Sequence, residues 1–241
     1  MRVRLVQIRT RADMLAEERA SFAARCGLAV GQVETVNALE EPLTTDALRG
    51  VDALFIGGAG AHSVVETFAW TDALVALCHD AAGRSLPTFG TCWGHQFLAR
   101  AFGGTVVHDA ARAEMGVHPV ELTDAGRTDT LFGELPDRFE THMGHHDRVS
   151  VLPPGAVELA RNDVSPFQAF RMGAAPVYGA QFHPELDAAG AHGRLVTYRA
   201  HYPEGGDDAA FEAMLGALRQ TPHTDGLLRR FLELFAGGLK G

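Results

Sequence analysis

One cysteine of this chain lies between two glycines, at a predicted sharp turn from a strand into a helix. The segment Gly90 to Gly94 has the form Gly-x-Cys-x-Gly, with an extended run, Leu86 to Phe89, before it and a helix-like run, Gln96 to Phe102, after it. Because glycine lacks a Cβ atom, the backbone can pass close to its neighbours on both sides of Cys92. The segment therefore favours a fold in which a strand ends directly against a helix, as at the serine elbow of α/β-hydrolases.

The same turn predicts a nucleophilic thiol. It projects the sulfur of Cys92 beyond the end of the sheet and places it at a helix N-terminus, where the helix dipole and free N–H groups favour the thiolate. The alternative is a buried core thiol, which is what most cysteines are. The flanking glycines favour the nucleophile at Cys92, whereas Cys26 and Cys78 lie on helical stretches with apolar neighbours and are predicted to be inert core thiols.

Strand-like and helix-like segments alternate through the first hundred residues. This alternation predicts an α/β fold with a mostly parallel central sheet, right-handed crossovers and helices on both faces, a flavodoxin-like arrangement. Sites in such sheets lie beyond the carboxyl ends of the strands, which is where Gly57 to Gly60 and Cys92 fall. The predicted strands are Val3 to Ile8, Val33 to Val36, Asp52 to Ile56 and the strand before Cys92, and the predicted helices include Ala12 to Cys26 and Ala69 to Ala82.

After about Thr105 the segments become short and rich in β-formers, which predicts a small antiparallel extension packed on the first half. The polar stretch Asp187 to His223 holds one predicted helical piece, Asp208 to Leu218, and is interpreted as an insertion. A last helix, Asp225 to Phe235, carries an apolar stripe for docking. No repeat or linker divides the chain, so residues 1–241 are predicted to form a single domain.

Composition narrows the class of partner. The formal net charge is −9 and Lys240 is the only lysine, which argues against a nucleic-acid partner and favours a small molecule or a protein. The first apolar run is too short for a signal peptide or a membrane span. Three cysteines without a Cys-x-x-Cys pair indicate neither a disulfide framework nor a zinc site. We expect a cytoplasmic protein, with no membrane partner, whose Cys92 stays reduced.

A thiolate needs a base, and the segment Gln181 to Glu185 supplies the best candidate. His183 follows a strong strand at the same predicted edge of the sheet, and Pro184 biases it toward extended geometry. In an extended chain His183 and Glu185 point to the same side, so the carboxylate can orient the imidazole. The sequence thus predicts a Cys92–His183–Glu185 triad, with an ordinary surface His-Pro-Glu turn as the alternative.

Attack on a carbonyl also requires two N–H donors for the oxyanion. The residue after the nucleophile, Trp93, is expected to supply one, and the glycine-rich segment Gly57 to Gly60 the other. Bare backbone at Gly60 also leaves room for a substrate. The alternatives for this segment are a phosphate cradle or a plain loop, and the absence of a Gly-x-x-x-x-Gly-Lys pattern argues against a nucleotide P-loop.

Together these segments resemble the class I (triad) glutamine amidotransferases, most closely the glutaminase of the GMP-synthase branch. The likeness covers about Val3 to Glu185 and resumes at the last helix. Its signatures are Gly90 to Gln96, the segment Gln181 to Glu185, and two intervening blocks, at Glu114 to Leu122 and Gly144 to Val149. The resemblance implies hydrolysis of glutamine through a γ-glutamyl thioester on Cys92, with no cofactor or metal.

The resemblance also implies roles for other residues. The backbone N–H groups of Gly58 and Trp93 would hold the oxyanion. The substrate's amino-acid end would contact Gly60, Gln96, Gly144, His145, His146 and Asp147. The chain departs from the family pattern at two positions: Ala59 replaces the usual proline, and His146 replaces a glycine. These departures predict a narrower or differently charged substrate pocket.

The histidines from His142 to His146 could instead form part of a metal site. No other ligands with zinc spacing accompany them, so a substrate wall or an ordinary polar loop is preferred.

Three functional hypotheses follow. The first is a hydrolase of γ-glutamyl amides or peptides that works alone, with Asp187 to His223 shaping an unusual acceptor pocket. The second is a glutaminase subunit that supplies ammonia to a separate synthetase, as in a two-chain GMP synthase. The third is a non-catalytic, amidotransferase-like binding or regulatory protein, against which the intact Cys, His and Glu set argues.

Overall fold

A nine-stranded mixed sheet forms the centre of the computed structural model, which describes residues 1–201 and 207–237. Its strand order is β2-β1-β3-β4-β11-β10-β9-β6-β7, and β5 and β8 form a separate antiparallel pair. The strands are β1 (Val3–Gln7), β2 (Val33–Asn37), β3 (Ala53–Ile56), β4 (Thr88–Thr91), β5 (Thr105–His108), β6 (Glu114–Leu122), β7 (Arg138–His145), β8 (Asp147–Val151), β9 (Ala156–Arg161), β10 (Ala169–Met172) and β11 (Val177–Ala180).

The predicted fold class is confirmed. Neighbouring strands from β2 to β11 in the sheet order are parallel, and β10, β9, β6 and β7 continue the sheet with antiparallel pairing. One expectation was wrong: the run Val177 to Phe182 was counted with the antiparallel extension, but it forms β11, which lies parallel to β4 and joins the extension only through its antiparallel pairing with β10. Its apolar run looks the same in either setting, and only the sheet order distinguishes the two.

Seven α-helices flank the sheet in the part of the chain that the structure describes. They are α1 (Ala12–Cys26), α2 (Thr71–Gly83), α3 (Trp93–Ala101), α4 (Asp124–Thr128), α5 (Ala188–Thr197), α6 (Asp208–Gly216) and α7 (Leu227–Phe235). The predicted α1 and α7 are present, and α7 buries its apolar stripe. Two predictions need correction. The stretch 187–223 contains α5 as well as α6, and the block 142–145 belongs to strand β7 and is not a loop.

The two faces of the sheet carry separate apolar cores. Side chains alternate along a strand, so Phe55 of β3 points to one face while Leu54 and Ile56 point to the other. Phe55 packs against Phe22 of α1 and Phe231 of α7, with ring centroids 5.3 and 6.0 Å apart. The opposite core contains side chains of α2 and α3. Helices therefore lie on both faces, as predicted.

No helix in the described ranges 1–201 and 207–237 is long and apolar enough to cross a membrane. The expectation that residues 1–241 form one domain, with an insertion at 187–223, stays a prediction.

Candidate active site

Cys92 occupies the turn between β4 and α3 in a strained backbone conformation. Its φ is 51° and its ψ is −104°, a region that residues with a Cβ atom seldom adopt. Its N–H donates to the carbonyl of Ala180 at 2.8 Å, and its carbonyl accepts from the N–H of Gln96 in the first turn of α3 at 3.1 Å. Hydrogen bonds on both sides of the turn thus maintain the strained conformation. The strand–turn–helix geometry predicted from the glycines is confirmed.

The flanking glycines are required by close backbone contacts. A Cβ atom built on Gly94 would lie 2.2 Å from the carbonyl oxygen of Ile56, and one on Gly90 would lie 2.5 Å from the carbonyl carbon and oxygen of Gly94. These distances are far below van der Waals contact, and the atoms that would clash belong to the backbone. Strand β4, strand β3 and helix α3 therefore approach closely only because these positions lack side chains.

The sheet order brings His183 to Cys92. Strands β4 and β11 are parallel neighbours, with Thr91 opposite Ala180, so the residues that follow them lie at one edge of the sheet. His183 comes three residues after β11, and its N–H donates to the carbonyl of His142 at 3.0 Å. The Cys92 sulfur lies near enough to the imidazole to raise its pKa, and both side chains line one cavity. The thiol itself donates to the carbonyl of Gly144 at 3.7 Å. The structure therefore brings the predicted nucleophile and base together.

Glu185 holds the other side of the imidazole. Its Oε1 lies 2.7 Å from Nδ1 of His183, and its side chain is fully buried. Because Nδ1 is committed to this carboxylate, Nε2 is the ring nitrogen that remains for the thiol. All three members of the predicted triad are thus together, in the order of contacts that the sequence predicted.

The charges of the three groups favour an imidazolium. Burial by itself lowers the pKa of His183, but the Glu185 carboxylate and the Cys92 sulfur outweigh it and raise that pKa well above 6.5. Burial by itself raises the pKa of Glu185, but the charges of His183 and Arg194 outweigh it and lower that pKa below 4.5. The carboxylate is therefore ionised and the imidazole protonated at neutral pH.

Arg194 is part of this arrangement and was missed from the sequence. It lies in α5, and its Nη1 donates to Oε1 of Glu185 at 2.8 Å. The sequence carried no signal for this contact, because α5 was not predicted and an arginine in a polar stretch is usually solvated.

The two predicted oxyanion donors differ in their surroundings. Trp93 is the first residue of α3, so its N–H has no carbonyl partner within the helix. The N–H of Gly58 donates to Oε1 of Glu18 at 3.2 Å. Glu18 is completely buried in α1, and its Oε1 also accepts from Nη2 of Arg9 at 2.7 Å. The N–H of Gly58 must leave Glu18 before it can donate fully to an oxyanion, and its predicted role stays a prediction.

Two cavities meet at Cys92, each with its own chemistry. A cavity of about 450 Å³, open to solvent, has His183, Arg9 and Arg194 in its wall beside apolar side chains and Tyr198. A cavity of about 640 Å³ lies on the other side and is polar and rich in histidine. Its wall contains all six residues that were predicted to contact the substrate's amino-acid end: Gly60, Gln96, Gly144, His145, His146 and Asp147.

Several of these predicted contact residues have structural partners of their own. Nε2 of Gln96 donates to the carbonyl of Asp147 at 2.6 Å. The carboxylate of Asp147 accepts from Ser63 Oγ and from the N–H of Val64, and its other oxygen lies 2.8 Å from Nδ1 of His108. These contacts fix the shape of the polar cavity. His108 was not predicted from the sequence, where it ends a short strand with no motif around it.

His145 is the most constrained of the predicted substrate residues. Its Nδ1 faces the carbonyl of Asp147 at 3.0 Å and its Nε2 lies 3.2 Å from Oε2 of Glu114. Both side chains are buried, and Glu114 also accepts from Gln168 and Asn162. This pair ties β6 to β7 beside the polar cavity. The contact between His145 and substrate stays a prediction.

Among residues 1–201 and 207–237, no group of three or more His, Cys, Asp or Glu side chains is arranged to hold a metal ion.

The strained cysteine elbow, its His-Glu partners and the parallel sheet agree with the comparison against protein families. The model of the glutamine amidotransferase class-I family matches residues 20–197. The chain belongs to this family.

Individual proteins are also similar to this chain. One protein named as a GMP synthase (glutamine-hydrolyzing) subunit, from Thermococcus kodakarensis, is 38% identical over 102 residues, which is 42% of this chain and 52% of that protein. The aligned part thus spans about half the length of this curated relative. A glutamine amidotransferase of known structure from Thermotoga maritima is 23% identical, with a TM-score of 0.71 over 98% of this chain and 99% of that one. One from Methylobacillus flagellatus is 22% identical, with a TM-score of 0.68 over 98% and 92%.

We predict that alkylation will distinguish Cys92 from the other two thiols. Burial raises the pKa of Cys78 to about 12 and raises that of Cys26 as well, so neither forms thiolate near neutral pH. Iodoacetamide should therefore add one equivalent per folded chain, and peptide mapping should assign it to Cys92. Denatured protein, as the control, should take up three equivalents. Modification of Cys26 or Cys78 in the folded chain would contradict this.

Glu185→Gln is expected to lower the free energy of unfolding by about 3 kcal/mol near pH 5.5, because it leaves Arg194 and His183 without a buried countercharge. The pKa of Glu185 is lowered on folding, so its contribution is present above 4.5 and declines as the pH falls below that value. The pKa of His183 is raised, so its contribution is full below 6.5 and declines as the pH rises above it. The difference between variant and wild type should therefore be largest between these two values.

Denaturant melts across the pH range test this prediction. Glu140→Gln is the control, because Glu140 forms an exposed pair with Arg219 and should change stability much less at every pH. A difference for Glu185→Gln that does not vary with pH would contradict the assignment of charges.

Proposed function

We propose that this protein hydrolyses the γ-amide bond of glutamine or of a related γ-glutamyl compound, with Cys92 as nucleophile. The observation that carries the proposal is the chain of contacts from the Cys92 thiol through His183 to the buried Glu185 carboxylate, at the carboxyl edge of a parallel sheet. Membership of the glutamine amidotransferase class-I family supports it.

In the first step the thiolate of Cys92 attacks the γ-carbonyl carbon, and a C–S bond forms while the carbonyl oxygen becomes an oxyanion. The N–H of Trp93 is the donor best disposed to hold that oxyanion, since no helical carbonyl competes for it. His183 donates its proton to the leaving nitrogen as the C–N bond breaks. The products of this step are a γ-glutamyl thioester and ammonia or an amine.

In the second step the neutral imidazole of His183 removes a proton from water, and the resulting hydroxide attacks the thioester carbon. The C–S bond breaks, glutamate leaves, and the proton returns the pair to thiolate and imidazolium. Glu185 keeps the ring in the tautomer that presents Nε2 to the reacting atoms throughout.

The position of His183 indicates where the leaving group goes. The leaving nitrogen must face the imidazole that protonates it, and the cavity of about 450 Å³ is the one whose wall contains His183. The glutamyl part then extends into the polar cavity on the other side of Cys92. Because Leu186, Leu195 and Tyr198 also line the His183 cavity, it suits a small substituent on the nitrogen. This favours γ-glutamyl amides alongside glutamine as substrates.

A glutaminase subunit that supplies ammonia to a separate synthetase is the second candidate. The observation in its favour is the sequence similarity to proteins named as GMP synthase subunits. In this case the free chain would be slow, and a partner would accelerate it. A non-catalytic binding protein is the third candidate, and the strained cysteine with its charged partners argues against it.

Glutamate release from glutamine, γ-glutamylmethylamide and γ-glutamylethylamide by the purified chain tests the proposal. Hydrolysis of the alkylamides at rates comparable to glutamine supports the hydrolase that works alone. Slow hydrolysis of glutamine that rises on addition of a synthetase supports the glutaminase that works with a partner. No glutamate from any of these compounds, with or without such a partner, would leave only the binding protein.

A further inference from the structure

One arginine joins three parts of the chain beside the proposed catalytic residues. Arg194 of α5 donates from Nη1 to Oε1 of Glu185 at 2.8 Å and from Nε to Oε2 of Glu17 in α1 at 3.0 Å. It is 6% exposed, so these charge-assisted hydrogen bonds are shielded from water. The bond from Nη1 therefore holds Glu185 against α5, and the separate bond from Nε ties α5 to α1.

The oxygen that Arg194 binds is the one that orients the base. Oε1 of Glu185 accepts from Arg194 and lies 2.7 Å from Nδ1 of His183. We propose that Arg194 is a positioning residue for the hydrolysis proposed above, and that it holds the Glu185 carboxylate where it can orient His183. This inference rests on the proposed function.

The restraint that Arg194 places on Glu185 predicts an effect on catalysis. A glutamate side chain has three rotatable bonds, so one hydrogen bond to His183 leaves the carboxylate free to swing and to carry the ring with it. A second donor from a rigid helix removes that freedom. Because small displacements of reacting groups cost large factors in rate, loss of Arg194 should lower kcat by about 10²-fold.

The charge of Arg194 has a separate consequence. The charged and titratable groups around His183 and Glu185 are Cys92, His142 of β7, Arg9 after β1, Glu17 and Glu18 of α1, and Arg194. Arg194 shares the carboxylate oxygen with His183, so it weakens the hold of Glu185 on the imidazole proton. His183 must lose its proton before it can activate water, so a weaker hold of Glu185 on that proton favours the second step. Removing the positive charge should therefore raise the pKa of His183 further.

Arg194→Met and Arg194→Lys separate the two consequences. For Arg194→Met we expect the fall in kcat together with an upward shift of about one pH unit in the acid limb of the kcat profile. For Arg194→Lys, which keeps the charge but loses the planar fork, the acid limb should return to its wild-type position while kcat recovers only in part. If Arg194→Met does not fold, Arg194→Lys still tests the proposal, because a wild-type kcat in that variant would overturn it.

Glu17→Gln is the matched control. It removes the other ion pair of Arg194 and leaves the contact with Glu185 in place. Its kcat and pH profile should stay close to those of wild type even where its stability falls. A uniform fall in kcat for Arg194→Met with no shift of the acid limb would mean that Arg194 acts only on stability, and would overturn the proposal.

NMR titration of the His183 imidazole makes the test independent of the substrate. Loss of the buried positive charge of Arg194 should move the midpoint of that titration upward by about one pH unit. If the wild-type chain hydrolyses no γ-glutamyl compound but this shift is present, the proposed function fails and the role of Arg194 in positioning the charged groups stands. An unchanged midpoint in a folded Arg194→Met variant would overturn that role.

Discussion

Cys92→Ala is expected to abolish hydrolysis of every γ-glutamyl compound that the wild-type chain accepts. The variant removes the atom that forms the covalent bond, and the remaining oxyanion donor and cavities cannot supply an alternative nucleophile. Removal of the nucleophile of a triad enzyme costs a factor of about 10⁶ in kcat. Glutamate release should therefore fall below detection while the fold is retained, since alanine fits the same turn.

Two measurements make this result specific. Mass spectrometry of wild-type protein quenched during turnover should find a γ-glutamyl adduct on the peptide that contains Cys92, and none in Cys92→Ala. Cys78→Ala is the control, because Cys78 is a buried residue of α2 that lines neither cavity. Residual hydrolysis by Cys92→Ala above about one part in a thousand would exclude Cys92 as the nucleophile.

Gly94→Ala is expected to destabilise the fold strongly. The new methyl group would lie 2.2 Å from the carbonyl oxygen of Ile56. Because that oxygen belongs to the backbone, the clash can be relieved only if α3 moves away from β3. Overpacking against backbone of this kind costs about 3 kcal/mol or more, which is about 10 °C in Tm for a chain of this size. Hydrolysis should be lost as well, because the displaced helix carries the N–H of Trp93.

Gly193→Ala is the matched control for this prediction. Gly193 lies in α5, and nothing lies within 4 Å of a Cβ atom built there. Alanine is the better helix former, so this variant should gain about 0.5–1 kcal/mol. Thermal melts of the two variants beside wild type should therefore move in opposite directions. Similar melting temperatures for Gly94→Ala and wild type would contradict the close approach of α3 and β3.

The positions that sequence could predict share one property: each has a local geometric requirement. Glycines two residues on either side of Cys92 describe a strained turn without reference to the rest of the chain, and the structure has that turn. The contact between His183 and Glu185 was predicted from extended geometry, but the structure forms it in a turn, where the N–H of Leu186 donates to the carbonyl of His183 at 3.2 Å. The contact of His183 and Glu185 with Cys92 needed one further assumption, that both segments end at the same edge of the sheet.

The contacts that sequence could not predict join distant segments without a local pattern. Arg194 meets Glu185 and Glu17, and Arg9 meets Glu18 and Tyr198, only because α1, α5 and the end of β1 lie side by side. Each of these arginines looks like an ordinary surface residue in the sequence. The Gly58 N–H likewise looked free, because nothing near it in the chain indicates that Glu18 of α1 would accept from it.

The order of the strands in the sheet also could not be predicted from the sequence. The run that forms β11 has the same apolar character whether its neighbour is parallel or antiparallel, and the sequence-based expectation was wrong. The segment His142 to His146 was predicted to be a substrate wall or a polar loop, and strand β7, which contains most of it, was missed. A strand that carries several polar side chains lacks the alternation on which a strand prediction depends.

The place of β11 between β4 and β10 affects the order in which a newly made chain can become reactive. Cys92 is synthesised about ninety residues before His183, and this central position in the sheet cannot be filled until β11 has left the ribosome. Until then the sulfur has neither its imidazole nor the Ala180 carbonyl that fixes its turn. The thiol therefore lacks its imidazole partner while about ninety further residues are synthesised, and the addition of β11 and the residues after it completes both the parallel part of the sheet and the proposed triad.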